Sequence, residues 1–302
     1  MAYPTPQVTN TTAAVFIPEI WSDEVIAAYK ANLVAANLFK KMSFKGKKGD
    51  TIHIPKPTRG QASLKASETA VTLIAALEDE VEVKIDKHYE YSRFIEDITE
   101  VQALSSMRRF YTDDAGYALA KQVDTDMVQL GRVMNGGTTG SSYGSGYTGG
   151  TGSVLYDGSN ATELADPAIR NVIQKLDDQD VPTSGRFFLI PPAARNTLMG
   201  LDRYTNMDHV GEAASANTIR NGQIGNLYGI PVYVTSNADT TKTGDRVCLM
   251  GHKDAAVLVE QLNVRSQTQY KQDYLSTLYT SDTIYGVKEL REDSAFALVV
   301  PA

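Results

Sequence analysis

The feature that most constrains this chain is a single apolar stripe running through residues 97–135. Val101, Leu104, Met107, Tyr111, Ala115, Leu119, Val123, Met127, Leu130 and Met134 follow one another at steps of three or four, the spacing of one helix face. Asp97 or Thr99 can cap its start, Glu100 suits the positive end, and Asn135-Gly136-Gly137 stops it. At 1.5 Å per residue the rod would be about 50 Å long, against a mean helix of about 11–12 residues. One compact globule of this size cannot cover such a stripe evenly, whereas a helix lying across a flat plate can. Charges do not flank the stripe in heptads, which disfavours a coiled coil.

The segments before this helix are equally extended. Residues 1–15 are polar, with Pro4 and Pro6, and read as an arm. Pro18 suits a first helical turn, and Ile20, Trp21, Val25, Ala28, Tyr29 and Leu33 place a helix over 18–38. After the Lys47-Lys48-Gly49-Asp50 turn, Thr51–Pro55 and Val81–Ile85 alternate as strands. Together 51–85 read as a long two-stranded ribbon, an element marginally stable alone that must lie on something, and a neighbouring copy could supply it.

After the helix, residues 136–153 contain only Gly, Ser, Thr and Tyr, eight of them glycine, and read as a flexible loop or linker. Residues 154–260 then alternate helix and strand. Asp166-Pro167 opens a helix with Ile169, Val172, Ile173 and Leu176 inward, and Arg186–Ile190 is a buried strand. Pro191-Pro192 ends that strand and opens a short helix. Strands are expected over 230–234, 246–250 and 255–259, and the chain closes on Ala295–Val300.

Composition excludes several functions. Hydrophobic residues make up 42% and charged residues 22%, enough for a sizeable core. The net charge of −7 does not suit tight binding of a phosphate backbone, which needs Lys and Arg. The single Cys248 allows no intramolecular disulfide. The first residues do not have a signal-peptide pattern, and no stretch reaches the roughly 18 apolar residues of a membrane span. Synthesis in the cytoplasm is expected.

Candidate chemistry is sparse. Gly144–Gly149 matches a dinucleotide fingerprint and Gly140–Gly144 a nucleophile elbow around Ser142. Both fall in a glycine-rich run, and neither has the strand–turn–helix context its mechanism needs. His53, His88, His209 and His252 are mutually distant in sequence, so a metal site is not expected. Glu78-Asp79-Glu80 and Asp177-Asp178-Gln179-Asp180 read as solvated faces, although the first could meet basic residues of a neighbour. Tyr270, Tyr274, Tyr279 and Tyr285 suit either an interface or a half-buried strand face. No catalytic, cofactor-binding or metal-binding residue is assigned.

The order of these elements resembles the major capsid proteins of tailed bacteriophages, the HK-97-type fold. Phe16–Trp21 followed by Gly49-Asp50-Thr51-Ile52 is similar to the family's opening. Phe187–Pro191 and Ile224–Val232 are similar to its axial-domain strands. The resemblance implies an α+β fold with an N-terminal arm and first helix (1–50), an extended β-ribbon loop (51–85) and a peripheral domain with a spine helix (86–135). A linker or insertion (136–153), an axial α/β domain (154–260) and a return to the peripheral β-sheet (261–302) complete it. It implies a non-enzymatic subunit, made in the host cytoplasm, that self-assembles as pentamers and hexamers into the icosahedral or prolate head of a virion around double-stranded DNA. DNA would be contacted non-specifically, with no membrane involved. A separate scaffolding protein and a portal are implied partners, since about fifteen arm residues leave no room for a built-in scaffold. Some members weld subunits through a Lys–Asn bond. Lys56 and Lys65 lie on the expected loop and Asn263 late in the chain, but none is matched to a linking position, so that chemistry is not carried over. An encapsulin-type nanocompartment shell shares the fold and is the alternative. A hydrolase using Ser142 is the alternative from another class.

Overall fold

The computed structural model describes residues 34–46, 48–57, 60, 62–65, 67–71, 73, 78–98, 107–134, 145–148, 153–155, 163–201, 225–241 and 244–302. The expected arm and most of the expected first helix lie outside these residues. Its end is described, as helix α1 (Ala35–Leu38).

Two sheets share the long helix between them. The first has four strands, in order β1 (Lys40–Ser43), β11 (Ala256–Lys271), β12 (Ser276–Glu289) and β4 (Lys87–Glu96). β1 runs parallel to β11, and the other pairs are antiparallel. The start of β11 reads as a continuous apolar run because both faces are covered. Val257 and Val259 face one cluster and Ala256 and Leu258 another. Beyond Glu260 the strand turns polar, and residues 263–270 are exposed.

The second sheet has seven strands. Its order is β6 (Ser153–Leu155), β5 (Ser145–Thr148), β13 (Ala295–Val300), β10 (Arg246–His252), β7 (Arg186–Ile190), β9 (Ile230–Val234) and β8 (Asn226–Leu227). Its central strands β7 and β13 are buried at every residue. Phe188 and Ile190 point to helices α3 (Asp166–Asp178) and α4 (Pro192–Met199), against Ile169, Val172, Leu176 and Leu198. Phe187 and Leu189 point the other way, to the long helix.

That helix, α2, runs from Met107 to Gln129 and tightens into a 3-10 turn at Leu130–Arg132. Asp97 and Ile98 are helical, while 99–106 lie outside the described residues. The described α-helix spans about 35 Å. Its stripe is buried at Ala115, Leu119, Met127, Leu130 and Met134. Met127, Val128, Leu130, Val133 and Met134 form one core with Phe187, Leu189 and Leu249 of the seven-stranded sheet. Leu258 and Tyr285 of the four-stranded sheet and Phe39 beside α1 join the same core. Each such side chain contributes roughly 1.5–3 kcal/mol by burial. The C-terminal half of the rod is therefore satisfied within its own chain, against the expectation that no single copy could cover it.

Three further readings are corrected. Part of the Gly/Ser/Thr/Tyr run is a hairpin: β5 pairs with β6 and lies parallel to β13, extending the sheet by backbone hydrogen bonds that composition does not advertise. The last strand joins the seven-stranded sheet between β5 and β10 and does not return to the four-stranded one. A fully apolar strand needs two covered faces, and its place between β5 and β10 supplies them. The strand expected at 255–259 is the start of β11, so the four-stranded sheet already begins before residue 260.

Candidate assembly surface

The ribbon pairs β2 (Thr51–Pro57) with β3 (Glu78–Lys84). Its root is anchored at home: Val83 and Ile85, with Ile52, Ile54 and Val81, pack on Val257, Val259 and Ile284, on the face of the four-stranded sheet opposite α2. Its outer part is not anchored. Every described residue between 60 and 73 is exposed, including Leu64 (102%), Val71 (68%) and Leu73 (89%). Single exposed apolar residues are ordinary, but several on one projecting segment mark an interaction site. On the ribbon His53 pairs with Glu80 at 3.1 Å, and Lys56 stands opposite Asp79. The Glu78–Glu80 cluster thus lies along a solvated strand.

A second exposed group sits where the β11–β12 hairpin turns. Phe94, Ile98, Tyr270, Tyr274 and Leu275 are all exposed there. The Phe94 and Tyr274 rings lie 5.7 Å apart, and Tyr270 Oη donates to Asp97 at 2.8 Å. Leu275 holds a left-handed conformation, φ 44 and ψ 48, which is uncommon outside Gly and Asn. The other two tyrosines of the run are interior. Tyr285 is buried, and Tyr279 Oη meets Ser266 and Ser281.

Between these surfaces, one turn of α2 carries three polar anchors. Asp124, fully buried, accepts from Ala36 N of α1 (3.1 Å) and from Asn237 Nδ2 in the loop after β9 (3.1 Å). Thr125 exchanges a hydrogen bond with the same Asn237. Asp126 accepts from Tyr285 Oη (2.7 Å), Lys87 Nζ (2.9 Å) and Gln122 Nε2 (3.1 Å). Two turns on, Arg132 grips Asp239 with two bonds of 2.7 Å. Burial, reinforced by the Asp126 carboxylate, holds the Tyr285 hydroxyl well above the ordinary tyrosine range. These anchors tie α2 to both sheets. Reading apolar periodicity missed them. The available signal was Asp-Thr-Asp flanked by buried-stripe positions in mid-helix.

The residues considered for chemistry are not brought together. His88 shares Asp282 with Arg265, and their hydrogen bonds, Arg265 first, hold that carboxyl below the usual range. His252 is buried with a ring nitrogen 2.9 Å from Ser184 O. His209 and Ser142 lie outside the described residues. Asp177 of the second acidic run is bound by the buried Arg186 guanidinium at 2.7 Å, so that member is a structural partner. Burial pushes the Cys248 thiol far up. Among the described residues no cluster of three or more His, Cys, Asp or Glu could hold a metal, and no described helix is long and apolar enough to cross a membrane. Ser145–Thr148 of the fingerprint form β5, which pairs with strand β6, so among the described residues it does not open the helix that would receive a pyrophosphate.

A mixed α+β subunit with a projecting ribbon, a long connecting helix and two sheets is the HK97-type capsid fold. The chain belongs to the phage capsid protein family, whose model matches residues 82–297. It is similar to a structure from Mycobacterium phage Che8, with 26% identity over 94% of this chain and 97% of that one, TM-score 0.75. It is also similar to a chain of the cyanophage P-SCSP1u capsid (20% identity, 99% of each chain, TM-score 0.74). A third similar chain comes from the bacteriophage PhiM1 mature capsid (15% identity, 94% of this chain and 92% of that one, TM-score 0.70). No curated protein matches the chain. The protein is a structural subunit of a phage capsid.

Proposed function

We propose that copies of this chain self-assemble, through pentamers and hexamers, into the closed head of a tailed phage around double-stranded DNA. The observation that carries this reading is the ribbon. Its root is buried on its own sheet, while Leu64, Val71 and Leu73 beyond it are bare. A segment that carries apolar side chains in water gains by lying on a second copy. Repeated head-to-tail contacts of this kind close when the rotation closes. The seven-stranded unit serves as the axial domain and the four-stranded sheet with α2 as the peripheral one. A net charge of −7 suits a wall that contacts packaged DNA loosely and non-specifically. Assembly uses a separate scaffolding protein and a portal, synthesis takes place in the host cytoplasm, and the subunit performs no catalysis.

Electron microscopy and sedimentation of the expressed chain, alone and with the phage's own assembly proteins, test this. Closed shells of uniform diameter are expected. A chain that stays monomeric at high concentration under both conditions overturns the reading. Shells that load an enzyme cargo in place of DNA overturn its DNA-packaging part.

A further inference from the structure

We propose that Gly286 is a positioning residue that fixes the angle at which the ribbon leaves the subunit, and through it the register between neighbouring copies. The second half of this statement rests on the assembly reading above; the first half does not.

Gly286 sits inside β12, opposite Val259. Glycine weakens a strand interior and so needs a reason to be there. Conformation is not the reason, because Gly286 is not among the glycines with positive φ. The reason is a crossing. A Cβ at this position would lie 2.3 Å from Lys84 O and 3.1 Å from both Lys84 C and Ile85 Cα. All three are backbone atoms and cannot swing aside. They belong to the last residue of β3 and the first residue after it, where the ribbon meets the sheet. Ile85 N closes the foot of the ribbon on Asp50 O at 2.7 Å. Val83, Val257 and Val259, all at 0% exposure, pack around the crossing with Ile52, Ile54 and Ile284. The ribbon is thus seated backbone-on-backbone at one point and wedged by valine and isoleucine on either side.

The seat acts as the short arm of a lever. Restoring an ordinary contact of 3.4 Å where 2.3 Å is available lifts the backbone by about 1 Å. Taken up over two residues of strand, about 7 Å, that lift is a tilt of roughly 10°. Carried along the seven residues of β2, roughly 23 Å, it moves the outer end by about 4 Å. Leu64, Val71 and Leu73 lie beyond that end. A displacement as large as a full van der Waals contact breaks the complementarity that a packed interface requires.

The test compares wild type, Gly286→Ala and Val257→Ala in the full chain. Val257→Ala removes packing at the same seat without lifting the ribbon. Spin labels at Lys65→Cys and Asn263→Cys report the ribbon-to-sheet distance in unassembled subunits by pulsed electron resonance. Electron microscopy reports assembly. In Gly286→Ala the mean distance is expected to shift by about 4 Å, by the lever above, and uniform shells to fall at least about tenfold. Val257→Ala is expected to keep the mean distance, with a broader spread, and to keep the shells, despite a lower melting temperature. An unchanged distance in a folded Gly286→Ala subunit overturns the seat. A shifted distance with wild-type shells overturns its link to register. If wild type forms no shells, the assembly reading fails, while the distance still decides the seat. If Gly286→Ala does not fold, Val83→Ala hollows the seat and is read by the same distance. A broadened distribution supports the seat and an unchanged one overturns it.

Discussion

Replacing Asp126 with alanine removes the acceptor of three donors at once, and the three differ in what they can do next. Lys87 Nζ, on a side chain 30% exposed, can turn to water, so its loss is screened and small. Gln122 is half-buried and does the same. Tyr285 cannot, because it is 1% exposed and its hydroxyl points at Asp126. A buried hydroxyl left without an acceptor costs about 1–3 kcal/mol. With the smaller losses added, Asp126→Ala should destabilise the unassembled subunit by about 2–4 kcal/mol. Tyr285→Phe removes the donor but leaves Asp126 with Lys87, and should cost only about 0.5–1.5 kcal/mol. The double variant should then be less destabilised than the sum, with a coupling of about 1 kcal/mol. Urea unfolding of the four proteins at pH 7 measures this. Strict additivity, or Asp126→Ala within about 0.5 kcal/mol of wild type, would refute the buried-acceptor reasoning. The same hydroxyl has an alkaline signature. Its folded pKa is raised, so above about pH 10, the ordinary tyrosine value, the unfolded chain releases a proton that the folded one keeps. Stability therefore falls with rising pH there, by up to about 1.4 kcal/mol per pH unit, and Tyr285→Phe should flatten that limb.

Met127→Ala opens a cavity in the core shared by both sheets and should cost about 2–5 kcal/mol, seen as a fall of at least about 4 °C in a thermal melt. Asp282 carries the opposite sign from Tyr285. Arg265 lowers its folded pKa, so its stabilisation is present above the ordinary carboxylate range and is lost as pH falls through it. Asp282→Asn should flatten the acid limb of an unfolding series below about pH 4. Cys248, fully buried with its thiol pKa raised, should react with a thiol reagent only as fast as the subunit unfolds. Rapid labelling under native conditions would contradict its placement between β7 and β13.

What could be read from the sequence follows from which faces are covered. Arg186–Ile190 and Ala295–Val300 are continuous apolar runs bounded by turn residues, and both appear with those bounds as strands buried on two sides. Asp166-Pro167 marked the start of α3 because Pro fits a first turn wherever the helix packs. Where covering comes from elsewhere, the signal fades. The outer half of β11, Asn263 to Tyr270, is mostly polar and exposed, and nothing in it says strand except its hydrogen-bonded partner. β4 alternates imperfectly because one of its faces is only partly covered. β5 owes its place to backbone bonds with β13. Partnership across the fold also explains the missed anchors: Asp124 and Asp126 look like a solvated pair until Asn237, Lys87 and Tyr285 converge on them from distant segments. The candidate assembly surface was legible as an extended ribbon but not as two unequal parts, because only the sheet beneath reveals which part is already buried.

This division bears on how strongly copies hold one another. The long helix is satisfied from Ala115 onward and the ribbon root on its own sheet, so less is left over for neighbours than an unsupported rod and ribbon would leave. Among the described residues of the ribbon it is three large apolar side chains. Burying each contributes at most about 1.5–3 kcal/mol, reduced by the ordering of the segment and by lost translational freedom. A single ribbon contact is then weak, so the proposed shell needs several contacts per copy. Serine at Leu64, Val71 and Leu73 together should leave the subunit's own unfolding free energy within about 0.5 kcal/mol of wild type, as for exposed positions generally. It should also raise the protein concentration needed for assembly by at least about a hundredfold, since about 2.7 kcal/mol of lost contact corresponds to that factor. Light scattering against concentration reads the second quantity and urea unfolding the first. If the triple variant instead unfolds easily, these side chains support their own subunit, and the surface that joins the copies must be sought at the β11–β12 tip.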